Sequence, residues 1–170
     1  YFDSWDGDTG VTTKAAIYSA GGGSILSLVS NNFFILSSTT TPVVLGGDIT
    51  VSSNSIFLPA SYNTTLINTC AVVSGNAINT ASGSAAASAI AVLNGRIITG
   101  NYINLGSSSN VAAIGIQITN GVKCTISGNH IASAGIGISI AADDVAMITG
   151  NEITTTGHGI QNSTTGTNKS

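Results

Sequence analysis

The sequence predicts an all-β protein, a single-stranded parallel β-helix of about seven coils with a short N-terminal helical cap, and three observations carry that prediction. A short motif recurs at intervals of 22 to 28 residues. Apolar residues hold fixed places on either side of it. Only 6% of the 170 residues are charged while 21 are Gly, which leaves no polar face for amphipathic helices and supplies many turns instead.

Residues 1–24 stand apart from the repeat. Asp6-Gly7-Asp8-Thr9-Gly10 reads as a turn, followed by a Thr-capped helix of about two turns that stops at Gly21-Gly22-Gly23. Such a segment is expected to plug the first coil, because an uncovered coil end is an open sheet edge that invites aggregation. The chain starts at Tyr1 without a basic-then-apolar signal segment, as expected of a mature form or a piece of a longer protein.

Residues 25–162 carry the coils. Ser/Thr-Gly-Asn-x-Ile occurs at Ser74-Gly75-Asn76-Ala77-Ile78, Thr99-Gly100-Asn101-Tyr102-Ile103, Ser127-Gly128-Asn129-His130-Ile131 and Thr149-Gly150-Asn151-Glu152-Ile153. Ser52-Ser53-Asn54-Ser55-Ile56 and Val29-Ser30-Asn31-Asn32-Phe33 read as weaker copies. Set on their Asn, the copies place Leu28, Val51, Val73, Ile98, Ile126 and Ile148 three residues before it. Phe33, Ile56, Ile78, Ile103, Ile131 and Ile153 stand two residues after it. Five before it stand Leu26, Ile49, Ala71, Arg96, Cys124 and Ala146, so the alternation of an inward strand face continues with Arg96 the exception.

Between the two runs the chain must bend, and Gly followed by Asn suits a left-handed residue there. Further apolar runs at 89–92, 114–118 and 135–140, with another starting at Gly159-Ile160, give each coil about three short strands. Such repeats cannot bury an apolar face alone, so they stack at a rise of about 4.8 Å per coil. Asn31, Asn54, Asn76, Asn101, Asn129 and Asn151 are expected to form a ladder whose amides satisfy backbone groups at the bend. Residues 163–170 form a Ser/Thr/Gly-rich tail without a cap, so the C-terminal coil is expected to continue in further sequence or to be covered by another subunit, a homotrimer being favoured.

The chain resembles the right-handed parallel β-helix proteins of the pectate-lyase-like superfamily. Residues 70–160 carry that family's loose Gly-Asn-x-Ile and Gly-Ile-x-Ile signature, and residues 6–36 resemble its opening turn, Ala-rich helix, Gly run and strand. Thr13 and Lys14 stand where the family usually has consecutive acidic residues. The resemblance implies a right-handed coil and leaves function open, since the family includes pectin-degrading enzymes, epimerases, adhesins and phage tailspikes.

Composition narrows the partners. A formal charge of −3 with four scattered basic residues does not neutralise a run of phosphates or dock on anionic lipid, so neither nucleic acid nor membrane is expected. No stretch approaches the roughly 18 apolar residues of a membrane-spanning helix. Cys70 and Cys124 fall two coils apart, beyond disulfide reach, and are expected as thiols in or near the wall. With two histidines and no Cys cluster beside them, neither a metal site nor a cofactor is expected.

Two sets of residues are candidates for function. Asp143, Asp144 and His158 resemble the Asp-Asp and Gly-His-Gly motifs of polygalacturonases in this superfamily, where a pair of carboxyl groups performs hydrolysis. The companion Asn-Thr-Asp and Arg-x-Lys motifs are absent, and Gly157-His158-Gly159-Ile160 aligns equally well with Gly135-Ile136-Gly137-Ile138 of the coil before. The second set follows from the columns. The outward position after each ladder Asn holds Asn32, Ser55, Ala77, Tyr102, His130 and Glu152, so the last three should project side by side. An aromatic ring packs on a pyranose face while imidazole and carboxylate bond its hydroxyls, which suits a sugar.

The reading that follows is an extracellular or virion-surface β-helix of the phage tailspike or tail-fibre type that binds cell-surface polysaccharide. The alternatives are a polysaccharide-degrading hydrolase or lyase, and a bacterial surface adhesin or filament subunit.

Overall fold

The structure is a computed structural model that describes residues 2–3, 17–18, 27–36, 43–59, 62, 65–80, 88–92, 97–105, 113–118, 123–140 and 145–162. In chain order the strands are β1 (Phe2–Asp3), β2 (Ile17–Tyr18), β3 (Ser27–Ser30), β4 (Phe33–Ile35), β5 (Val44–Ser52), β6 (Ser55–Leu58), β7 (Ile67–Ser74) and β8 (Ala77–Thr80). They continue as β9 (Ser88–Val92), β10 (Ile97–Thr99), β11 (Tyr102–Asn104), β12 (Ile114–Ile118), β13 (Lys123–Ser127), β14 (His130–Ile140), β15 (Val145–Thr149) and β16 (Glu152–Asn162). Every pairing is parallel and joins one coil to the next. The protein is an all-β parallel solenoid, consistent in general shape with the superfamily it resembles.

Three walls build each coil. The wall before the Asn bend runs β3, β5, β7, β10, β13, β15. The wall after it runs β1, β4, β6, β8, β11, β14, β16. The third stacks β2, the start of β5 and of β7, β9, β12 and the ends of β14 and β16, which aligns Ile17, Val44, Ile67, Ile90, Ile116, Ile138 and Ile160.

Alternation along each strand decides what faces the core. Val51, Val73, Ile98 and Ile126 from the first wall and Ile56, Ile78, Ile103 and Ile131 from the second are fully buried, as the repeat predicts. Ile67, Ile116 and Ile138 add the third side. Cys124 is buried in its strand. The core loosens along the axis: Ile148 and Ile153 are only partly buried, and Ile160 is 52% exposed where Ile116 and Ile138 are at 0%. No helix among the described residues is long and apolar enough to cross a membrane.

The bend repeats with little variation. Gly75, Gly100, Gly128 and Gly150 have φ between 61° and 63°, and Asn31 and Ser53 take the same left-handed conformation at 57° and 56°. The next residue turns inward as the ladder asparagine. Asn54, Asn76, Asn101 and Asn129 are each 1% exposed. In each, Oδ1 accepts from the backbone N–H and the Nδ2 of the preceding ladder Asn, at 2.9 to 3.1 Å. Its Nδ2 also donates to the carbonyl three residues before the preceding Asn, as from Asn101 to Val73 O at 2.9 Å. The amide thus pairs the N–H of the preceding ladder residue and the carbonyl three residues before it, groups the bend strips from the strand ladder. At the C-terminal end the N–H groups of Gly150 and Asn151 meet no acceptor among the described residues, whereas Gly128 and Asn129 donate to Thr149 O and Asn151 Oδ1.

The first copy is one residue out of the expected register. Asn32, not Asn31, is the ladder residue: its N–H and Nδ2 both donate to Asn54 Oδ1, while Asn31 is exposed and takes the place of Gly. Val29 and Phe34 therefore point inward, and Leu28 and Phe33, expected inside, are 66% and 46% exposed. Both registers put an apolar pair inside, so the hydrophobic pattern alone did not choose between them. Stacking distinguishes them: this register aligns Ser30 with Ser52 and sets the Asn32 amide on Asn54. Leu26, the expected inward residue of that copy, and Arg96 lie outside the described residues.

Of the expected N-terminal helix, Ile17 and Tyr18 form a strand paired with Val44 and Leu45, and the remainder of 4–24 lies outside the described residues. The tail 163–170 also lies outside them. A left-handed φ costs an L-residue about 1–2 kcal/mol that Gly does not spend, partly offset by glycine's greater unfolded entropy. Ser53→Gly is therefore expected to stabilise the protein by about 0.5–1 kcal/mol, read as a higher urea midpoint at unchanged slope.

Candidate functional site: an outward strip of Tyr102, His130 and Glu152

Each of these residues opens a strand directly after a ladder asparagine. The Asn turns into the core, so strand alternation turns the next side chain out. Backbone bonds fix all three at one height: Tyr102, His130 and Glu152 donate their N–H to the carbonyls of Asn76, Asn101 and Asn129, each at 2.8 Å. In register, Tyr102 pairs with His130 and His130 with Glu152.

The spacing between coils suits ring stacking. The Tyr102 and His130 rings lie parallel within 9°, with centroids 5.0 Å apart. His130 Nδ1 is 3.0 Å from Glu152 Oε2. With its proton on Nδ1 the imidazole donates to the carboxylate, which orients the ring and leaves Nε2 facing solvent. The three side chains are 41%, 38% and 74% exposed for Tyr102, His130 and Glu152. At that exposure the contact between His130 and Glu152 adds about 0–1 kcal/mol at most to stability. Its consequence is positional: a planar apolar face, a ring nitrogen and a carboxylate stand in a row, fixed by backbone bonds on a wall that does not bend.

Of the other candidate set, only His158 is among the described residues. His158 lies exposed in β16, with Ile136 as its register partner and Ile138 opposite Ile160, as the alignment of 157–160 with 135–138 requires. Asp143 and Asp144 lie outside the described residues.

The shifted register of the first copy changes one end of the outward column. Phe33, rather than Asn32, is the counterpart of Ser55, Ala77, Tyr102, His130 and Glu152. The signal that finds it is the hydroxyl two places before each ladder Asn. Ser30, Ser52, Ser74, Thr99, Ser127 and Thr149 form an unbroken column only when the first copy is set on Asn32.

No family model matches the chain, and no curated protein or solved structure does so.

Proposed function

We propose that this chain is a non-catalytic structural solenoid of the tailspike or tail-fibre kind, displayed outside the cell or on a virion, which binds cell-surface polysaccharide through Tyr102, His130 and Glu152. The observation that carries the reading is the in-register row itself: Tyr102 stacked on His130, and His130 bonded to Glu152, on an exposed rigid wall. The stacked ring offers its edge and remaining face to the C–H groups of a pyranose, while Nε2 and the free carboxylate oxygen offer hydrogen bonds to its hydroxyls. A sheet held by backbone bonds presents these groups without an ordering cost on binding. Charged residues amount to 6% of the chain, which supports binding over hydrolysis. A homotrimer is the favoured assembly.

Tyr102→Ala and Glu152→Ala test the reading. Each is expected to weaken binding of the recognised polysaccharide roughly tenfold, or about 1.4 kcal/mol, at unchanged thermal stability. Unaltered affinity in both variants, measured by titration calorimetry, sinks it. Light scattering tests the trimer: a concentration-independent mass of one chain contradicts it.

A further inference from the structure

We propose that the sugar-binding face runs along the solenoid axis from Glu152 to a second aromatic platform formed by Phe33 and Phe57, and that its ligand is an extended, uncharged polysaccharide lying across the coils. This rests on the preceding reading, which assigns only the row at Tyr102, His130 and Glu152.

Two outward columns share the wall after the Asn bend. The first holds Phe33, Ser55, Ala77, Tyr102, His130 and Glu152; the second, two residues further along each strand, holds Ile35, Phe57, Asn79, Asn104, Ala132 and Thr154. Phe33 and Phe57 come from adjacent coils and opposite columns, yet their rings meet with centroids 5.4 Å apart at 51°. Both remain more than two-fifths exposed, and Ile35 beside them is equally open. Large apolar side chains grouped in water mark a contact surface more often than singly scattered ones do.

What lies between the two platforms favours a carbohydrate over a protein surface. Ser55 and Ala77 in the first column and Asn79 in the second are short, so they form a low floor bounded by Phe33 and Phe57 at one end and Tyr102 at the other. From the coil of Phe33 to that of Tyr102 is three steps, about 14 Å at a rise of about 4.8 Å. That length takes several sugar units of an extended chain. Rings at both ends pack on pyranose faces, and the hydroxyl and amide side chains of the floor bond sugar hydroxyls.

Charge restricts the class of sugar. Glu152 lies on this wall, and the described residues of its two columns include neither Lys nor Arg. Lys123 belongs to β13, in the wall before the bend. Among the described residues of those columns a uronate, sialate or sulfated chain would meet the Glu152 carboxylate with no Lys or Arg beside it, whereas an uncharged chain incurs no such repulsion.

The test uses the full chain and an array of uncharged and uronate-containing oligosaccharides, each at disaccharide and hexasaccharide length. The expected result is an uncharged series whose hexasaccharide binds roughly tenfold tighter than its disaccharide, the extra contacts being made at the second platform. Phe57→Ala, and separately Phe33→Ala, should abolish that gain with length, so that both lengths bind alike through Tyr102. Tyr102→Ala should weaken both lengths. If the Phe variants keep wild-type hexasaccharide affinity while Tyr102→Ala loses it, the second platform is wrong and the first stands. Tighter binding of uronates overturns the charge argument. If Tyr102→Ala changes nothing, or no glycan binds, both readings fall. A dimer that dissociates on Phe57→Ala would show that the patch pairs copies of the chain.

Discussion

Replacing Asn101 by Asp is expected to destabilise the protein more than replacing it by Ala, and to do so chiefly above acid pH. Asn101 sits mid-ladder at 1% exposure. Its Oδ1 accepts from Asn76 N and Nδ2 at 3.0 and 2.9 Å, and its Nδ2 donates to Val73 O, Thr99 O and Asn129 Oδ1. Alanine removes all of these and leaves Asn76 N–H and Val73 O short of partners. At about 1–3 kcal/mol for each buried group left unpaired, a loss of about 3–5 kcal/mol follows.

Aspartate keeps the acceptor but turns a second oxygen toward Val73 O, Thr99 O and Asn129 Oδ1, four acceptors facing one another with a buried charge among them. Burial and those oxygens raise the folded-state pKa of the new carboxyl above its unfolded value of about 3.9. The folded protein then holds the proton longer. The variant is therefore nearest to wild type below about pH 4 and loses stability as pH rises from there through the folded-state pKa. Urea unfolding at pH 3 and pH 7 reads this directly. Equal stability of Asn101→Ala and wild type would mean that the ladder contributes nothing net. Asn151→Ala supplies the contrast: Asn151 is itself only partly buried, as are its hydrogen bonds to Asn129 and Ile126, so a smaller loss is expected.

The second large effect is steric. Gly115, Gly137 and Gly159 occupy equivalent places in successive coils. A Cβ on Gly137 would meet Ile153 Cγ2 and stand 2.5 Å from Gly159 O, and one on Gly115 would lie 2.7 Å from both Gly137 O and Ile131 Cγ2. These are closer than real Cβ contacts, and a backbone carbonyl in the next coil is among the atoms that must move. Gly137→Ala should cost about 3 kcal/mol, at the upper end of ordinary overpacking, and lower the melting temperature accordingly. Gly159 is the internal control, since a Cβ there meets nothing within 4 Å among the described residues. Gly159→Ala is expected to leave stability unchanged or raise it slightly. Equal effects at 137 and 159 would refute the packing argument.

These glycines show where sequence reasoning stops. The Gly-Ile alternation of 135–138 and 157–160 identified a third wall and its register, yet Gly137 and Gly159 look alike in sequence. Only the coil lying against Gly137, which among the described residues has no counterpart at Gly159, tells them apart. Ile17 and Tyr18 make the same point. Their local sequence fits the end of a short helix, and pairing with Val44 and Leu45 overrides that preference.

By itself the sequence determined the repeat, the inward columns, the ladder from Asn54 to Asn151, and the alignment of Tyr102, His130 and Glu152. Strand alternation and the Asn bend recur every coil, so a side chain's direction follows from its place in the motif. Tertiary structure decided whatever depends on the adjacent coil. It set Asn32 in the ladder and turned Phe33 outward, since two neighbouring asparagines differ only in what they meet on Asn54. It also brought the His130 ring onto Tyr102 and its Nδ1 to Glu152, contacts between residues 22 to 28 positions apart in the chain that exist only once the coils stack.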